Sequence, residues 1–239
     1  MSTLFELEQY QNIIKKTNVL RVIGKVTQVV GLVVEAEVQG VSIGELCKIT
    51  VTKEKDILAE VVGFKEGRVL LMPLGSTSGI RPGCLIFATG RPITVKVGDH
   101  LLGRILNGLG EPMDRKGDIP FDSIYGIDND PPDPVMRPRI TEAFSTGVKA
   151  IDGILTLGMG QRIGIFAGSG VGKSTLMGML ARNCSSDVNV ISLIGERGRE
   201  VKDFIEESLG EEGLKRSVVI CATSDQPPVV RLKGALVGT

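Results

Sequence analysis

The chain has 239 residues, with 28 basic and 28 acidic side chains and no net formal charge; 42% of it is hydrophobic and 4% aromatic. That content is too apolar for disorder, and the length allows one large domain or two smaller ones, each with its own core. Charge balance without a basic stripe argues against a nucleic-acid binder, and the scarcity of aromatics against a base-stacking platform.

The opening MSTLFELEQYQ carries acids and no basic run ahead of an apolar core, so it does not read as a signal peptide. No apolar run reaches the roughly 18–20 residues that cross a bilayer. Within residues 1–19, LFELEQYQNIIKK places Leu4, Leu7, Tyr10 or Gln11, and Ile14 at helical spacing, which predicts a short amphipathic helix. It either docks on its own domain or serves as a handle for a partner or a membrane surface.

From residue 20 to 92 the texture changes. Short Val/Ile-rich runs (RVIGKVTQVVG, LVVEAEVQG, ELCKITV, ILAEVVGF, RVLLMPLG, CLIFATG) alternate with glycine turns at Gly31, Gly40, Gly63 and Gly90. Strands of this length with regular turn signals predict a small all-β barrel. It holds no catalytic constellation and is expected to serve assembly. The four cysteines, Cys47, Cys84, Cys184 and Cys221, lie far apart without CxxC spacing, so they read as reduced core thiols of a cytosolic protein.

Residues 93–239 are expected to form an α/β domain with a parallel sheet. The only histidine, His100, reads as a turn residue of a KVGDHLLG hairpin. DNDPPDPVMRPR, residues 128–139, must run as extended coil because of its prolines. Then strand and helix patterns alternate: QRIGIFA as a buried strand, GKSTLMGMLARNC as a helix, DVNVISLIGE as a strand, EVKDFIEESLGEEGL as a charged amphipathic helix and RSVVICATS as a strand. Such alternation implies a parallel sheet covered by helices, with ligands at the carboxyl ends of the strands.

FAGSGVGKST sits where the first of these strands meets its helix. A phosphate loop needs inward-facing N–H groups, a cation for the β- and γ-phosphates and a hydroxyl for magnesium. Gly168, Gly170 and Gly172 supply the curl, Lys173 the cation and Ser174 the magnesium hydroxyl. Ser169, Val171 and Thr175 complete the cradle at a helix N-terminus. Ala167 stands where a glycine is usual, at the strand end, and a β-region φ costs alanine nothing there. Hydrolysis needs a group to orient water, and Glu196 in IGERGRE falls at the next strand's end, where a carboxylate can polarise one. Arg197 can neutralise charge on the transferred phosphoryl group. Alternatively, Glu196 and Arg197 form a local ion pair. Arg199 and Glu200 are expected to face solvent. Asp225 and Gln226 in TSDQPP lie near the expected cleft or form a capping turn.

Taken together, FAGSGVGKST, LIGERGREV, ATSDQPPVVRLK, LLGRILNGLGEPMD, RPRI and GVKAIDGILTLGMGQRIGIFAGSG resemble the type III secretion ATPases, relatives of the catalytic subunit of rotary ATP synthases. VTQVVGLVVEAEV, VSIGELCKI and MPLGSTSGIRPGCLIFATGRP are similar to the flagellum-specific export branch. The likeness runs from about Val22 to the last residue. It implies an ATPase using ATP and Mg2+ and assembled as a hexamer with sites between subunits. It implies work at the cytoplasmic face of the membrane export apparatus, a place that allows peripheral membrane association, where substrates are released from chaperones and unfolded. Regulator and stalk subunits are the implied partners, and no nucleic acid is. By motif, Lys173 and Ser174 bind phosphate and magnesium, Glu196 is the catalytic carboxylate and Arg197 lies near the γ-phosphate.

The sequence departs from the family pattern after GALVGT. The family's magnesium-holding aspartate, interface arginine, adenine pocket and C-terminal helical domain are all absent, so the chain is expected to be truncated within the nucleotide-binding domain. Other readings are a nucleotide- or partner-binding module without turnover, a rotary synthase subunit and a hexameric RNA translocase. The GERGREV wording, against GERTREGN in the synthase, and a barrel poor in aromatics and basic residues favour export over the last two.

Overall fold

The computed structural model describes residues 23–168 and 170–239, so the amphipathic segment expected within 1–19 lies outside the described residues, as does Ser169. The chain divides after Pro92 into two compact units.

In the first unit six strands follow in order: β1 (Ile23–Val30), β2 (Val33–Glu37), β3 (Glu45–Thr52), β4 (Lys55–Lys65), β5 (Arg68–Pro73) and β6 (Leu85–Pro92). They close into an antiparallel barrel in the order β1-β2-β5-β4-β3-β6. The alternation in RVLLMP becomes a strict in–out pattern in β5, as the two-residue period of a strand requires. Val34, Ile49, Val61, Leu71 and Ile86 fill the interior, while Ala36, Ala59 and Cys47 let the walls approach. Burying each of the larger side chains stabilises the unit by about 1.5–3 kcal/mol. Gly63 marks a bulge where β4 shifts register against β5. The buried carboxylate of Glu45 accepts from the N–H groups of Gly90 (2.8 Å) and Ser42 (3.1 Å) and so clasps β6 to the start of β3. Burial, helped by the charge of Glu45, pushes the Cys47 thiol up to about 12.

In the second unit the strands are β7 (Thr94–Val97), β8 (Ile105–Asn107), β9 (Ser123–Gly126), β10 (Ala143–Phe144), β11 (Leu157–Gly158), β12 (Asn189–Ile194) and β13 (Ser217–Ala222). The helices are α1 (Lys173–Asn183), α2 (Gly198–Asp203), α3 (Gly210–Lys215) and α4 (Pro228–Gly238), with a π-helical stretch, Phe204–Leu209, joining α2 to α3. A parallel sheet runs in the order β12-β13-β8. Every residue of β13 is buried, as a continuous apolar run in a central parallel strand should be. One face of the sheet packs Ile191, Leu193, Val219 and Cys221 against Ala181, Val201, Phe204 and Leu209 of the helices. There a Cβ on Gly178 would collide with the backbone of Ser208, so glycine sets how closely α1 approaches the π-helical stretch. Burial raises the Cys221 thiol to about 11. No helix of the described residues is long and apolar enough to cross a membrane.

The structure departs from the sequence reading at three places. Residues 161–167, expected as a buried strand, join no sheet, and Ile163 (47% exposed) and Phe166 (97%) face outward. A parallel strand must give its N–H and C=O groups to neighbours, and the sheet β12-β13-β8 takes no rung from this segment, β8 bonding on its other edge to residues 111–113. An apolar groove of about 1130 Å³ is left beside this segment, lined by Val95, Leu106, Tyr125, Val190, Val218 and Ile220 among others. Second, the 128–139 coil is broken by one short turn at Pro134–Met136, because the Asp133 side chain accepts from Val135 N–H (2.9 Å). Third, His100 lies in a short 3-10 turn (Asp99–Leu101) rather than a hairpin, since β7 pairs with β9 and β8 pairs with β13.

β8 is pinned by an ion pair ten positions apart in the chain. Arg104 grips Asp114 with two bonds (Nε–Oδ2 2.6 Å, Nη2–Oδ1 2.9 Å), and Asp114, 3% exposed, also accepts from the N–H groups of Ile105 and Lys116. The Arg104 guanidinium and these N–H groups hold the Asp114 carboxyl well below the usual carboxylate range. Asp114→Asn should destabilise the second unit by about 3 kcal/mol at neutral pH, measured by urea unfolding. A depressed folded pKa stabilises above the unfolded value and loses that contribution as pH falls through the folded one. The gap between wild type and variant should therefore be constant above about pH 5 and narrow below about pH 4.

Candidate phosphate-binding cleft

The site is built where β12 ends and α1 begins. Gly170 (φ 78°) and Gly172 (φ 100°) take the left-handed region that turns the chain into α1, whose first residue is Lys173. The first turn of this helix of 11 residues leaves N–H groups without intrahelical partners, which is where an anion is favoured. Ser174 and Thr175 follow on that turn.

The opposite wall comes from the carboxyl ends of two parallel strands. Gly195 N–H donates to Ala222 C=O (2.7 Å), extending the β12–β13 ladder by one step, and Ser224 N–H donates to Glu196 C=O (3.0 Å). These bonds fix the Glu196 backbone. Its carboxylate crosses to α1, where Lys173 Nζ lies 3.2 Å from Oε1. Arg197 caps α2 and pairs with Glu200 (3.6 Å) on that helix's first turn. The cleft between the walls has a volume of about 520 Å³, lined by Ala167, Gly168, Gly170, Gly172, Lys173, Ser174, Thr175, Gly195, Glu196, Arg197 and Glu200. That room suits a polyphosphate, and the donor set of one ammonium, two hydroxyls and a helix N-terminus fits phosphate oxygens and a magnesium ion bound to them.

The sequence-predicted residues are thus mostly brought together. Val171 is the exception, 70% exposed and outside the lining. Asp225 and Gln226 also lie outside the lining; a hydrogen bond from Thr223 lowers the Asp225 carboxyl below its ordinary value, and Gln226 N–H donates to Thr223 C=O. They form a turn between β13 and α4, whose N-cap position is Pro227 and carries no side-chain cap. Glu200 is exposed, as expected, and also stands at the open cleft wall, where the i,i+3 spacing from Arg197 on a helical first turn places it. The Glu196–Arg197 ion pair does not form; each residue pairs elsewhere.

Profiles of the ATP synthase alpha/beta family match both units: the beta-barrel domain over residues 26–90 and the nucleotide-binding domain over 147–239. The "Flagellum-specific ATP synthase" of Bacillus subtilis is 51% identical over 228 residues, covering 95% of this chain and 52% of that one. The "Type 3 secretion system ATPase" of Xanthomonas euvesicatoria is 51% identical over 218 residues, 90% of this chain and 49% of that one. Among solved structures, the assembled ATPase EscN in complex with its central stalk EscO, from the enteropathogenic E. coli type III secretion system, superposes with a TM-score of 0.83 at 42% identity. That match covers 90% of this chain and 52% of EscN. The chain spans about half the length of the curated relatives it matches.

The φ of Gly172 makes a side chain there costly. Gly172→Ala should destabilise the second unit by about 1–2 kcal/mol and lower its melting temperature by a few degrees, as calorimetric scanning would read.

Proposed function

Because this chain belongs to the ATP synthase alpha/beta family, we propose that it is an ATP-binding and ATP-hydrolysing subunit that energises type III protein export of the flagellar kind. The observation that carries the reading is the convergence of Lys173, Ser174, Glu196 and Arg197 on one cleft at the carboxyl ends of β12 and β13. Lys173 and the N–H groups of the Gly168–Thr175 loop hold the β- and γ-phosphates. Ser174 Oγ would ligate the magnesium that travels with the nucleotide, which would supply charge neutralisation at the phosphates. Glu196 accepts a hydrogen bond from the attacking water and aims it, while Arg197 balances charge on the phosphoryl group. Phosphoryl transfer needs little more than such positioning and electrostatic stabilisation.

The named relatives, together with the GERGREV wording, support export over ATP synthesis. On this reading the protein assembles as a ring with copies of itself and a stalk partner, at the cytoplasmic face of the export apparatus, and acts on export substrates and their chaperones. A second reading, a module that binds nucleotide or a partner without turnover, is favoured for these 239 residues by the exposed 161–167 segment. Magnesium-dependent hydrolysis by the 239-residue chain decides between them, with phosphate release expected for the first and none for the second.

Lys173→Ala should abolish ATP binding by this chain in isothermal calorimetry; unchanged affinity would move the phosphate site elsewhere. In a protein of the relatives' full length, Glu196→Gln should cut kcat by about 10²–10⁴-fold with little change in KM.

A further inference from the structure

The contact between Lys173 and Glu196 joins the cation assigned to phosphate with the carboxylate assigned to water. Nζ and Oε1 are 3.2 Å apart, with side chains 42% and 34% exposed. The two ends differ in freedom. The Glu196 backbone is tied to β13 on both sides, by Gly195 N–H to Ala222 and by Ser224 N–H to its own carbonyl. Lys173 stands at the first turn of α1, its ammonium on a flexible stem. Arg197 is no rival for the carboxylate, because its guanidinium is paired with Glu200. A phosphate seated on the α1 N-terminus draws on the same ammonium as Glu196, and each of its three N–H donors given to the carboxylate is one fewer for phosphate oxygens.

We propose that Glu196 and a bound polyphosphate compete for Lys173. Glu196 acts as a latch on the lysine, and phosphate arrival opens it. The carboxylate is then released toward water only once the lysine has moved onto phosphate, which ties the readiness of the water-orienting group to occupancy of the loop. This rests on the phosphate-loop reading above and adds the order of events within that site. No bond is made or broken covalently.

The test reads the lysine directly. Acylation of Lys173 by an amine-directed reagent is followed by peptide mass in the 239-residue chain, first without any phosphate ligand. Glu196→Gln should speed labelling of Lys173 about two- to five-fold, the range for a partly exposed ion pair. Glu196→Asp, which keeps the charge but shortens the reach, should speed it similarly. Inorganic pyrophosphate should then protect Lys173 in all three proteins, at about two- to five-fold lower concentration in Glu196→Gln than in wild type. Equal labelling rates in wild type and both variants overturn the latch, even if Glu196→Gln binds pyrophosphate more tightly, since that gain would then come from lost repulsion alone. Faster labelling in the variants with no protection by pyrophosphate in any protein would instead show that the phosphate-loop reading has failed, and the latch falls with it for that separate reason.

Discussion

Two backbone hydrogen bonds, Gly195 N–H to Ala222 and Ser224 N–H to Glu196, decide where the chemistry of the second unit can be. They extend the parallel register of β12 and β13 past the last ladder pair, Ile194 with Ala222. Buried backbone groups must be paired, and β13 is buried along its whole length, so the register has no freedom to slip. Glu196 is therefore delivered at a fixed height above the sheet. The approach of α1 is fixed in turn by the absence of a side chain at Gly178. These two constraints bring the Lys173 and Glu196 backbones close enough for their charges to meet at 3.2 Å.

The two units treat unpaired strand edges in opposite ways. The barrel has none, because its first strand pairs with its last, and closure removes the edge along which other chains could pair. In the second unit the outer edge of β8 bonds to residues 111–113, whereas β12 is an outer strand with no further ladder partner among the described residues, and 161–167 joins no ladder. Polar anchors do different work in the two places. Glu45 clasps strands that already touch, whereas Asp114 adds a side-chain grip to a turn whose backbone also folds back on β8, with Asn107 N–H donating to Glu111 C=O and Met113 N–H to Ile105 C=O.

Much of this was legible in the sequence. Alternation and glycine turns announced the barrel, and GKST after a glycine run announced the start of α1. The apolar run RSVVICATS announced a central strand. QRIGIFA has nearly the same texture as RSVVICATS, and yet one is the best-buried strand and the other is exposed. The difference lies in ladder partners far away in the chain, which composition does not encode. The same holds for His100, where a plausible hairpin fails because β7 and β8 each have a better partner elsewhere. The Arg104–Asp114 grip was invisible for another reason: it depends on a turn folding back over β8, not on helical or strand spacing. Glu200 faces solvent as its sequence position implied, and its place on the cleft wall follows from the i,i+3 spacing to Arg197.

Closure of the barrel also has a cost in time. Ile23 pairs with Phe87, roughly 60 residues later in the chain, and a ribosome adding about 5–20 residues per second needs about 3–12 s to span that gap. Through that interval β1 carries an exposed hydrogen-bonding edge and a half-built apolar face. The seam strand β6 is thus the step that ends the barrel's vulnerable period during synthesis, and a pause in translation before Leu85 would lengthen the window in which nascent chains can pair with one another.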